Sequence, residues 1–241
     1  MAELSKEERG CLRWLLWVVF VPLGIFLILP SGNGYGEGAR SAICQTTRAI
    51  GTAMYDYSLD HNGQYPTGKS STEVFQKLID GHYVSDPTIF YLTGCGSPKG
   101  EPRKTRATSN TLKPENVCFD VTVPISAATP KGLPIVFNTG FKITYESGAS
   151  AVPSSDAAAS SQYGGIAAVY KDDEHPSKLS IAWFGRFNVV YQDKPIKGHE
   201  VIPDLGSVPI YSNVIPHFIP DDFKPDGKPY QQLTPTGPLA P

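Results

Sequence analysis

The sequence predicts an α+β protein with an N-terminal transmembrane helix, an amphipathic helix packed on an antiparallel β-sheet, and a proline-rich C-terminal tail. Three observations carry this prediction. An uncharged apolar run stands near the N-terminus, one long amphipathic stretch follows it, and short β-branched and aromatic runs separated by Gly, Pro and Asn come next. Helices placed before a series of strands are typical of α+β domains with antiparallel sheets.

Length and composition allow one sizeable soluble domain beside a membrane segment. The chain has 241 residues, of which 40% are hydrophobic, so it can bury one substantial core. Its formal net charge is -2 and no basic stripe is present, so no nucleic-acid partner is expected. The 23 glycines and 22 prolines favour many turns over a helix bundle.

Residues 14–30, WLLWVVFVPLGIFLILP, are predicted to cross a membrane once. No charged residue occurs from Trp14 to Gly36. At about 1.5 Å per residue the run reaches roughly 26 Å, close to the thickness of a thin bilayer. The three cations at Lys6, Arg9 and Arg13 predict that residues 1–13 are cytoplasmic and that the body lies outside the inner membrane of a bacterium.

A cleaved signal peptide is the competing interpretation of this N-terminus. A basic start, an apolar core and the small residues from Ser31 to Gly34 are its ingredients, and cleavage would leave a secreted or periplasmic ligand-binding module. The apolar core is longer than a signal peptide usually has, and Trp14 and Trp17 suit a membrane interface, so a retained anchor is favoured. The glycine-rich residues 31–38 are predicted to be a hinge.

An amphipathic helix is predicted from about Glu37 to about Leu59. Its apolar stripe consists of Ala39, Ile43, Thr47, Ile50, Met54 and Tyr57. The Asn62-Gly63 pair favours left-handed backbone conformations that end a helix, and Pro66 prevents the helix from resuming. A second, shorter helix is predicted over Ser71–Ile79, capped by Ser70 or Ser71 and ended by Gly81.

Seven short runs after the second helix are predicted to be strands, and the segments between them to be loops. The strands are Ile89–Leu92, Val117–Val123, Leu133–Phe137, Phe141–Tyr145, Ile166–Tyr170, Leu179–Phe184 and Arg186–Gln192. Residues 97–116, with a basic run at Arg103–Arg106, and residues 147–164 are predicted to be surface loops. The proline-rich residues 202–241 are predicted to wrap the domain at first and to be loose after Gly227.

The stretch from Ala39 to Pro66 resembles the region after the membrane anchor in bacterial type II secretion pseudopilins and prepilin-like proteins. In that family a helix runs into D-x-N-G-x-[FY]-P, and a weaker similarity follows at Tyr83–Phe90. The matching residues are Ala39, Arg40, Ala42, Cys44, Ile50, Gly51, Ala53, Tyr57, Asp60, Asn62, Gly63, Tyr65 and Pro66.

The resemblance implies a pilin-like fold for residues 39–201, with the helix covering the sheet. It also implies a non-enzymatic role in a secretion or pilus-like assembly, with envelope or secretion-apparatus proteins as partners. The chain departs from the family pattern at its N-terminus. It lacks the glycine cleavage site followed by Phe, three apolar residues and Glu.

Residues Gly63–Ser70 match G-x-x-x-x-G-K-S, the pattern of a nucleotide-binding P-loop, and a P-loop enzyme is therefore the alternative function. Such a loop follows a buried strand, so that its backbone amides and the next helix face a phosphate. Here an amphipathic helix is predicted before the pattern. A turn leading into a capped helix is the favoured interpretation.

No catalytic, cofactor or metal site is predicted. Neither G-x-S-x-G nor H-E-x-x-H occurs in the sequence. The acidic cluster Asp172–His175 is interpreted as a hairpin tip, and Asp221, Asp222 and Asp226 do not have the spacing of a calcium loop. The histidines are dispersed and form no metal-binding pair; they are His61, His82, His175, His199 and His217.

One disulfide bond, between Cys95 and Cys118, is predicted. These residues lie in the part of the chain expected outside the membrane, where disulfides persist, whereas Cys11 is expected to face the cytosol. The bond would close a loop of about 23 residues and contribute roughly 3 kcal/mol to stability. Cys44 is predicted to be a packed free thiol, but it remains an alternative partner for either cysteine.

Overall fold

A computed structural model of the chain describes residues 33–95, 103–153, 165–171, 180–185, 189–191 and 217–239. The chain divides into two units, Met1–Ala39 and Arg40–Pro241, and the first is described only from Asn33. The predicted anchor at residues 14–30 lies outside the described residues. Among the described residues, no helix combines the length and the apolar character needed to cross a membrane.

Helix α1 spans Asn33–Asp60. It begins four residues before the predicted start at Glu37, so Gly34, Gly36 and Gly38 have helical backbone. A glycine costs a helix about 1 kcal/mol relative to alanine, and an established helix tolerates this because each added residue forms one more hydrogen bond. The role of residues 31–38 as a hinge stays a prediction.

Four of the six residues in the predicted apolar stripe of α1 are buried: Ile43, Thr47, Ile50 and Met54. The three apolar ones belong to one hydrophobic core with the strands, and Tyr57 is half-buried against it. The Thr47 hydroxyl donates to the Ile43 carbonyl at 2.7 Å, which satisfies the only strongly polar group of these four side chains. The helix therefore covers the core with one face.

A left-handed turn ends α1 and fastens it to the loop after the first strand. Asn62 and Gly63 have φ angles of 55° and 77°, and the Gly63 amide donates to the Ser58 carbonyl at 2.8 Å. The Gly63 carbonyl accepts from the Ala127 amide at 2.8 Å, and the Tyr65 amide donates to the Ile125 carbonyl at 3.1 Å. The predicted helix end at this sequence is confirmed.

Helix α2 spans Ser71–Asp80 and confirms the prediction of a short capped helix. The Ser70 side chain is its N-cap and accepts from the Glu73 amide at 3.2 Å. At the other end, the Gly81 amide donates to the Lys77 carbonyl at 2.9 Å. The Ser71 hydroxyl donates to the Phe119 carbonyl at 2.7 Å, so α2 is joined directly to the sheet.

The described strands form an antiparallel seven-stranded sheet in the order β7-β6-β5-β2-β1-β8-β9. Beside it, β3 (Phe141–Ile143) and β4 (Ala151–Pro153) form a two-stranded sheet. The strands of the larger sheet are β1 (Phe119–Val123), β2 (Pro134–Asn138), β5 (Gly165–Tyr170), β6 (Ser180–Gly185), β7 (Val189–Tyr191), β8 (Gln231–Thr234) and β9 (Gly237–Pro238). The predicted α+β class with an antiparallel sheet is confirmed.

Strand β1 lies inside the sheet and is buried on both faces. Phe119, Val121 and Val123 point to one face, and Asp120 and Thr122 point to the other, because side chains alternate along a strand. The second face also carries Phe137, which is paired with Asp120, and Gln232, which is paired with Thr122. A polar group in the middle of this sheet therefore has no access to water.

The segment from His217 to Phe223 covers this second face. Phe218 is fully buried, and its ring lies 5.9 Å from the Phe137 ring and 5.7 Å from the Tyr170 ring, measured between centroids. The Tyr170 hydroxyl donates to the Phe218 carbonyl at 2.8 Å. The prediction that the first half of the tail wraps the domain is confirmed for these residues, whereas residues 202–216 lie outside the described part.

The prediction that the chain is loose after Gly227 is wrong. Residues Gln231–Thr234 form β8, which pairs with β1 inside the sheet, and β9 pairs with β8. The reason is the position of the prolines. None lies within Gln231–Thr234, whereas Pro229 and Pro235 flank it and Pro238 stands in the edge strand, where a missing amide is tolerated.

Three further predictions need correction. Ile89–Leu92 is no strand; Pro87–Phe90 is a 3-10 helix, because Pro87 suits a first helical turn and Asp86 accepts from the Thr88 amide at 2.9 Å. The predicted loop 147–164 contains β4, which forms because β3 supplies a pairing partner. The predicted surface loop 97–116 is partly buried, since Lys104, Ala107, Leu112 and Asn116 are inside.

The turn at Gly63 yields a test with a matched control. Gly63 and Gly227 have nearly the same φ, 77° and 78°, but a Cβ at Gly63 would lie 2.9 Å from the Ala127 Cβ, whereas one at Gly227 would meet nothing within 4 Å. Gly227→Ala should therefore cost only the backbone strain, about 1–2 kcal/mol. Gly63→Ala should cost about 1–3 kcal/mol more, because Ala127 is displaced. Chemical denaturation measures both; equal losses contradict the packing argument.

Candidate functional site

The structure brings Cys95 and Cys118 together at the entrance to β1. Both lie against the Leu92 carbonyl, which accepts from the Cys95 amide at 3.1 Å and is 3.9 Å from the Cys118 Sγ. The Cys118 amide donates to the Phe90 carbonyl at 2.8 Å, so the 3-10 helix at Pro87–Phe90 positions this thiol. Cys118 is 0% exposed and Cys95 is half-buried.

The two cysteines are thiols that hydrogen-bond to each other, and the disulfide between them stays a prediction. A hydrogen bond with Cys118, followed by burial, raises the pKa of Cys95. Burial tends to raise the pKa of Cys118 as well, but the hydrogen bond with Cys95 and the charge of Lys104 lower it overall. Of the pair, Cys118 is therefore the group that loses its proton first.

Lys104 supplies a buried positive charge beside the thiols. It is 5% exposed, and its Nζ donates to the Pro114 carbonyl at 2.9 Å. Its segment is folded on itself: the Thr105 amide donates to the Glu115 carbonyl at 2.8 Å, and the Asn116 side chain donates to the Thr105 carbonyl at 3.2 Å. The positive charge of the ammonium group acts to lower the pKa of both thiols and of Asp120, although other causes raise the pKa of Cys95 and of Asp120 overall.

Asp120 is a carboxyl group inside the sheet. It is 1% exposed; its Oδ2 accepts from the Gln232 side chain at 2.7 Å, and its Oδ1 has no hydrogen-bond partner among the described residues. Burial raises the pKa of Asp120 to about 7, although the Gln232 hydrogen bond, the nearby Thr139 hydroxyl and the Lys104 charge act in the opposite direction. The carboxyl group therefore holds a proton under mildly acidic conditions.

Gln232 connects this carboxyl group to both sheets. Its Nε2 donates to Asp120 at 2.7 Å and to the Phe141 carbonyl at 2.6 Å, and its Oε1 accepts from the Ile143 amide at 3.1 Å. Strand β8 is thus joined to β1 and to β3 by one amide group. Its donors and its acceptor are satisfied, which removes most of the cost of burying it.

The chemistry available to this cluster is internal. Adjacent thiols can form a disulfide, and a carboxyl group with a pKa near 7 can exchange a proton with its surroundings. Cys118, Lys104 and Asp120 are all nearly or completely buried. Within the described part of the chain, these three side chains therefore contact other protein groups and not the open surface.

Sequence reasoning identified the two cysteines and missed the two charged residues. Lys104 was expected in a solvated basic run, and its neighbours Arg103, Thr105 and Arg106 are indeed exposed. Nothing in the sequence distinguishes Lys104 from these residues. In Phe119–Val123, Asp120 and Thr122 alternate with apolar residues, which is typical of a strand with one solvent-exposed face. The segment that covers this face, His217–Phe223, lies about a hundred residues later in the sequence, so the strand's own pattern does not reveal it.

The P-loop pattern at Gly63–Ser70 has the structure of a capped helix start, as the sequence predicts. Helix α1 precedes it, where a P-loop requires a strand. The Lys69 amide donates to the Glu73 carboxylate at 2.8 Å, and the Glu73 amide donates to the Ser70 hydroxyl at 3.2 Å. A carboxylate therefore occupies the place where a phosphate would need free amides.

Two of the acidic residues noted in the sequence pair with nearby basic side chains. Asp221 is 2.7 Å from His217 Nδ1, and Asp226 is 3.0 Å from Lys228 Nζ. The cluster Asp172–His175 lies outside the described residues. Within the described part of the chain, no three His, Cys, Asp or Glu side chains are gathered so that they could hold a metal ion.

Comparisons of the chain with protein-family models, with curated proteins and with solved structures find no match. The function must therefore be inferred from the residues of the chain itself. Two features bear on it: the helix that ends at Asp60–Pro66, and the buried cluster around Cys118 and Asp120.

The raised pKa of Asp120 predicts a specific pH dependence of stability. Its folded value is about 7 against an ordinary value of 3.8, so the folded state binds the proton more tightly than the unfolded state. This contribution is complete below about pH 4 and is lost as the pH rises through about 7. The unfolding free energy of the wild type, relative to Asp120→Asn, should fall by on the order of 4 kcal/mol across this range.

Denaturant unfolding of both proteins at several pH values measures this difference. Asp86→Asn is the control for the sign, because hydrogen bonds from Thr88 lower the pKa of Asp86. Relative to that variant, the wild type should gain stability as the pH rises. Parallel pH profiles for the wild type and Asp120→Asn would contradict the raised pKa, because they would mean that the pKa of Asp120 is the same in the folded and the unfolded protein.

Proposed function

We propose that the chain is a membrane-tethered, non-enzymatic protein with a pseudopilin-like extracytoplasmic domain. In this proposal it acts through protein contacts in or beside a type II secretion or pilus-like assembly. The observation that carries the proposal is the junction at Asp60–Pro66. There the D-x-N-G-x-Y-P sequence ends an amphipathic helix and hydrogen-bonds to the loop that follows β1.

The fold of the described residues supports this proposal. An N-terminal helix buries one stripe in the core of an antiparallel sheet, which is the arrangement that the resemblance to pseudopilins implies. At the junction, Gly63 has a left-handed backbone, and Tyr65 and Pro66 are buried. Several of the residues that carry the resemblance therefore have a structural task in this fold, which supports the proposal.

The membrane attachment follows from the N-terminal sequence. Residues 14–30 serve as a single-pass anchor in the bacterial inner membrane, and residues 31–241 lie outside the cytoplasm. The apolar run is longer than that of a usual signal peptide, and Trp14 and Trp17 suit a membrane interface, so in this proposal the anchor is retained and the protein stays in the membrane. Its partners are then other envelope proteins or components of the secretion apparatus.

The non-enzymatic part of the proposal is supported by the character of the buried cluster. Three of the groups with perturbed pKa values, Cys95, Cys118 and Asp120, lie in or at the core instead of at an open surface. Active sites need such groups in contact with substrate. Here they contact one another and the backbone.

Site-specific crosslinking in the native membrane tests the function. Leu59 is 62% exposed at the end of α1, so a photoreactive residue there reaches a neighbour without disturbing the core. A second position at the exposed Thr236, on the β8–β9 turn, is the control for random collisions. We expect adducts with secretion or pilus-assembly components that depend on position. Adducts with unrelated envelope proteins alone would contradict the assembly role.

The P-loop alternative gives an opposite expectation for Lys69. This residue is exposed, and its amide is used in the start of α2. Lys69→Ala should therefore leave the stability unchanged within about 0.5 kcal/mol, as for most surface substitutions. Calorimetric titration with Mg-ATP should give no heat of binding for either protein. Micromolar affinity that disappears in the variant would replace our proposal with the nucleotide-binding one.

A further inference from the structure

We propose that Cys95 and Cys118 form a structural disulfide that fastens the segment 95–118 to the start of β1 and closes the chain over Lys104. The structure places both cysteines on one carbonyl, that of Leu92, from opposite ends of this segment. This inference concerns the covalent structure of the domain. It does not depend on the proposed secretion role.

The position of each thiol is fixed by the backbone around it. The backbone amide of Cys118 donates a hydrogen bond to the Phe90 carbonyl at 2.8 Å, and that of Cys95 donates one to the Leu92 carbonyl at 3.1 Å. The two side chains already interact as hydrogen-bonding neighbours. Two cysteines that hydrogen-bond to each other beside one carbonyl are close enough for a disulfide to be a reasonable product of their oxidation.

The chemistry of the pair suits oxidation by a protein or low-molecular-weight disulfide. Cys118 is the more acidic thiol but is buried, so the half-buried Cys95 exchanges first. It gives up its proton, its sulfur bonds to one sulfur of the carrier, and the other carrier sulfur takes up a proton and leaves as a thiol. The Cys118 thiolate then attacks the Cys95 sulfur and displaces the second carrier thiol. The protein loses two protons and two electrons, and the carrier disulfide is reduced to two thiols.

The same geometry protects the finished bond. Cys118 is completely buried, whereas Cys95 is half-buried. Among the described residues, Cys95 is therefore the sulfur of the pair that a reducing thiol reaches more easily. The bond is therefore expected to resist mild reductants in the folded state and to be reduced readily once the domain unfolds, as buried structural disulfides are.

Closing the loop would also act on the segment that carries Lys104. An ammonium group inside a protein loses its hydration. Lys104 is 5% exposed, and its Nζ donates to the Pro114 carbonyl at 2.9 Å on the same segment. A covalent bond between Cys95 and Cys118 joins the residues on either side of this segment and limits how far it can move away from the core.

The test uses the full chain purified in detergent without reductant. Free thiols are blocked, and the peptides are mapped by mass spectrometry with and without reduction. We expect one linked species that contains Cys95 and Cys118 and is lighter by two hydrogen atoms. If the protein is isolated reduced, oxidised glutathione should produce the same species. Both thiols free after glutathione treatment, or either one linked to Cys44, overturns the inference.

A stability measurement checks the structural role with matched variants. For the wild type, a strong reductant that acts on the unfolding protein should lower Tm by about 6–12 °C. In Cys95→Ser the reductant should have no effect, and in Cys44→Ser, which removes a buried thiol on α1, the full effect should remain. A reductant effect that persists in Cys95→Ser, or that disappears in Cys44→Ser, contradicts the assigned pairing.

Discussion

The turn at Gly63 is the constraint on which the arrangement of helix and sheet depends. Its amide closes the end of α1 on Ser58, and its carbonyl accepts from Ala127 in the loop after β1. The approach is so close that a methyl group on Gly63 would collide with the methyl group of Ala127. One residue thus ends the helix and determines where the helix meets the sheet, and only glycine combines the required φ with the required space.

Gln232 performs a related task at the other end of the chain. The strand that carries it comes more than a hundred residues after β1, yet its amide group is bonded to Asp120, to Phe141 and to Ile143. The sheet is therefore completed only when the C-terminal residues arrive. Until then Asp120 would be hydrated, so its raised pKa is a property created by the last strand and by the segment that covers it.

The sequence allowed the local elements to be predicted well. The stripe that includes Ile50 and Met54, the Ser70 cap and the β-branched runs of β1 and β5 each act within a few residues, so their patterns survive without the rest of the chain. The elements that were missed depend on distant partners. Strand β8 reads QQLT, which has little β propensity, and it exists because β1 offers an unpaired edge; β4 likewise depends on β3.

The candidate site divides in the same way. Cys95 and Cys118 were paired from their expected compartment, without any knowledge of the 3-10 helix at Pro87–Phe90 that brings them to one carbonyl. Lys104 and Asp120 gave no signal, because burial of a charged residue is decided by what covers it. Polar residues in a sequence pattern are normally predicted to be exposed. That prediction fails for Asp120, because a segment far along the chain, His217–Phe223, covers the strand.

The location of these buried groups determines what they contribute to the fold. Two thiols, the Lys104 ammonium group and the Asp120 carboxyl group lie around β1, and Gln232 hydrogen-bonds to that carboxyl group from β8. Their energetic effect on the fold comes through pairing and proton binding. Because burial raises the pKa of Asp120, loss of its proton and unfolding are coupled, and the stability of the domain reports the charge of a group that is 1% exposed.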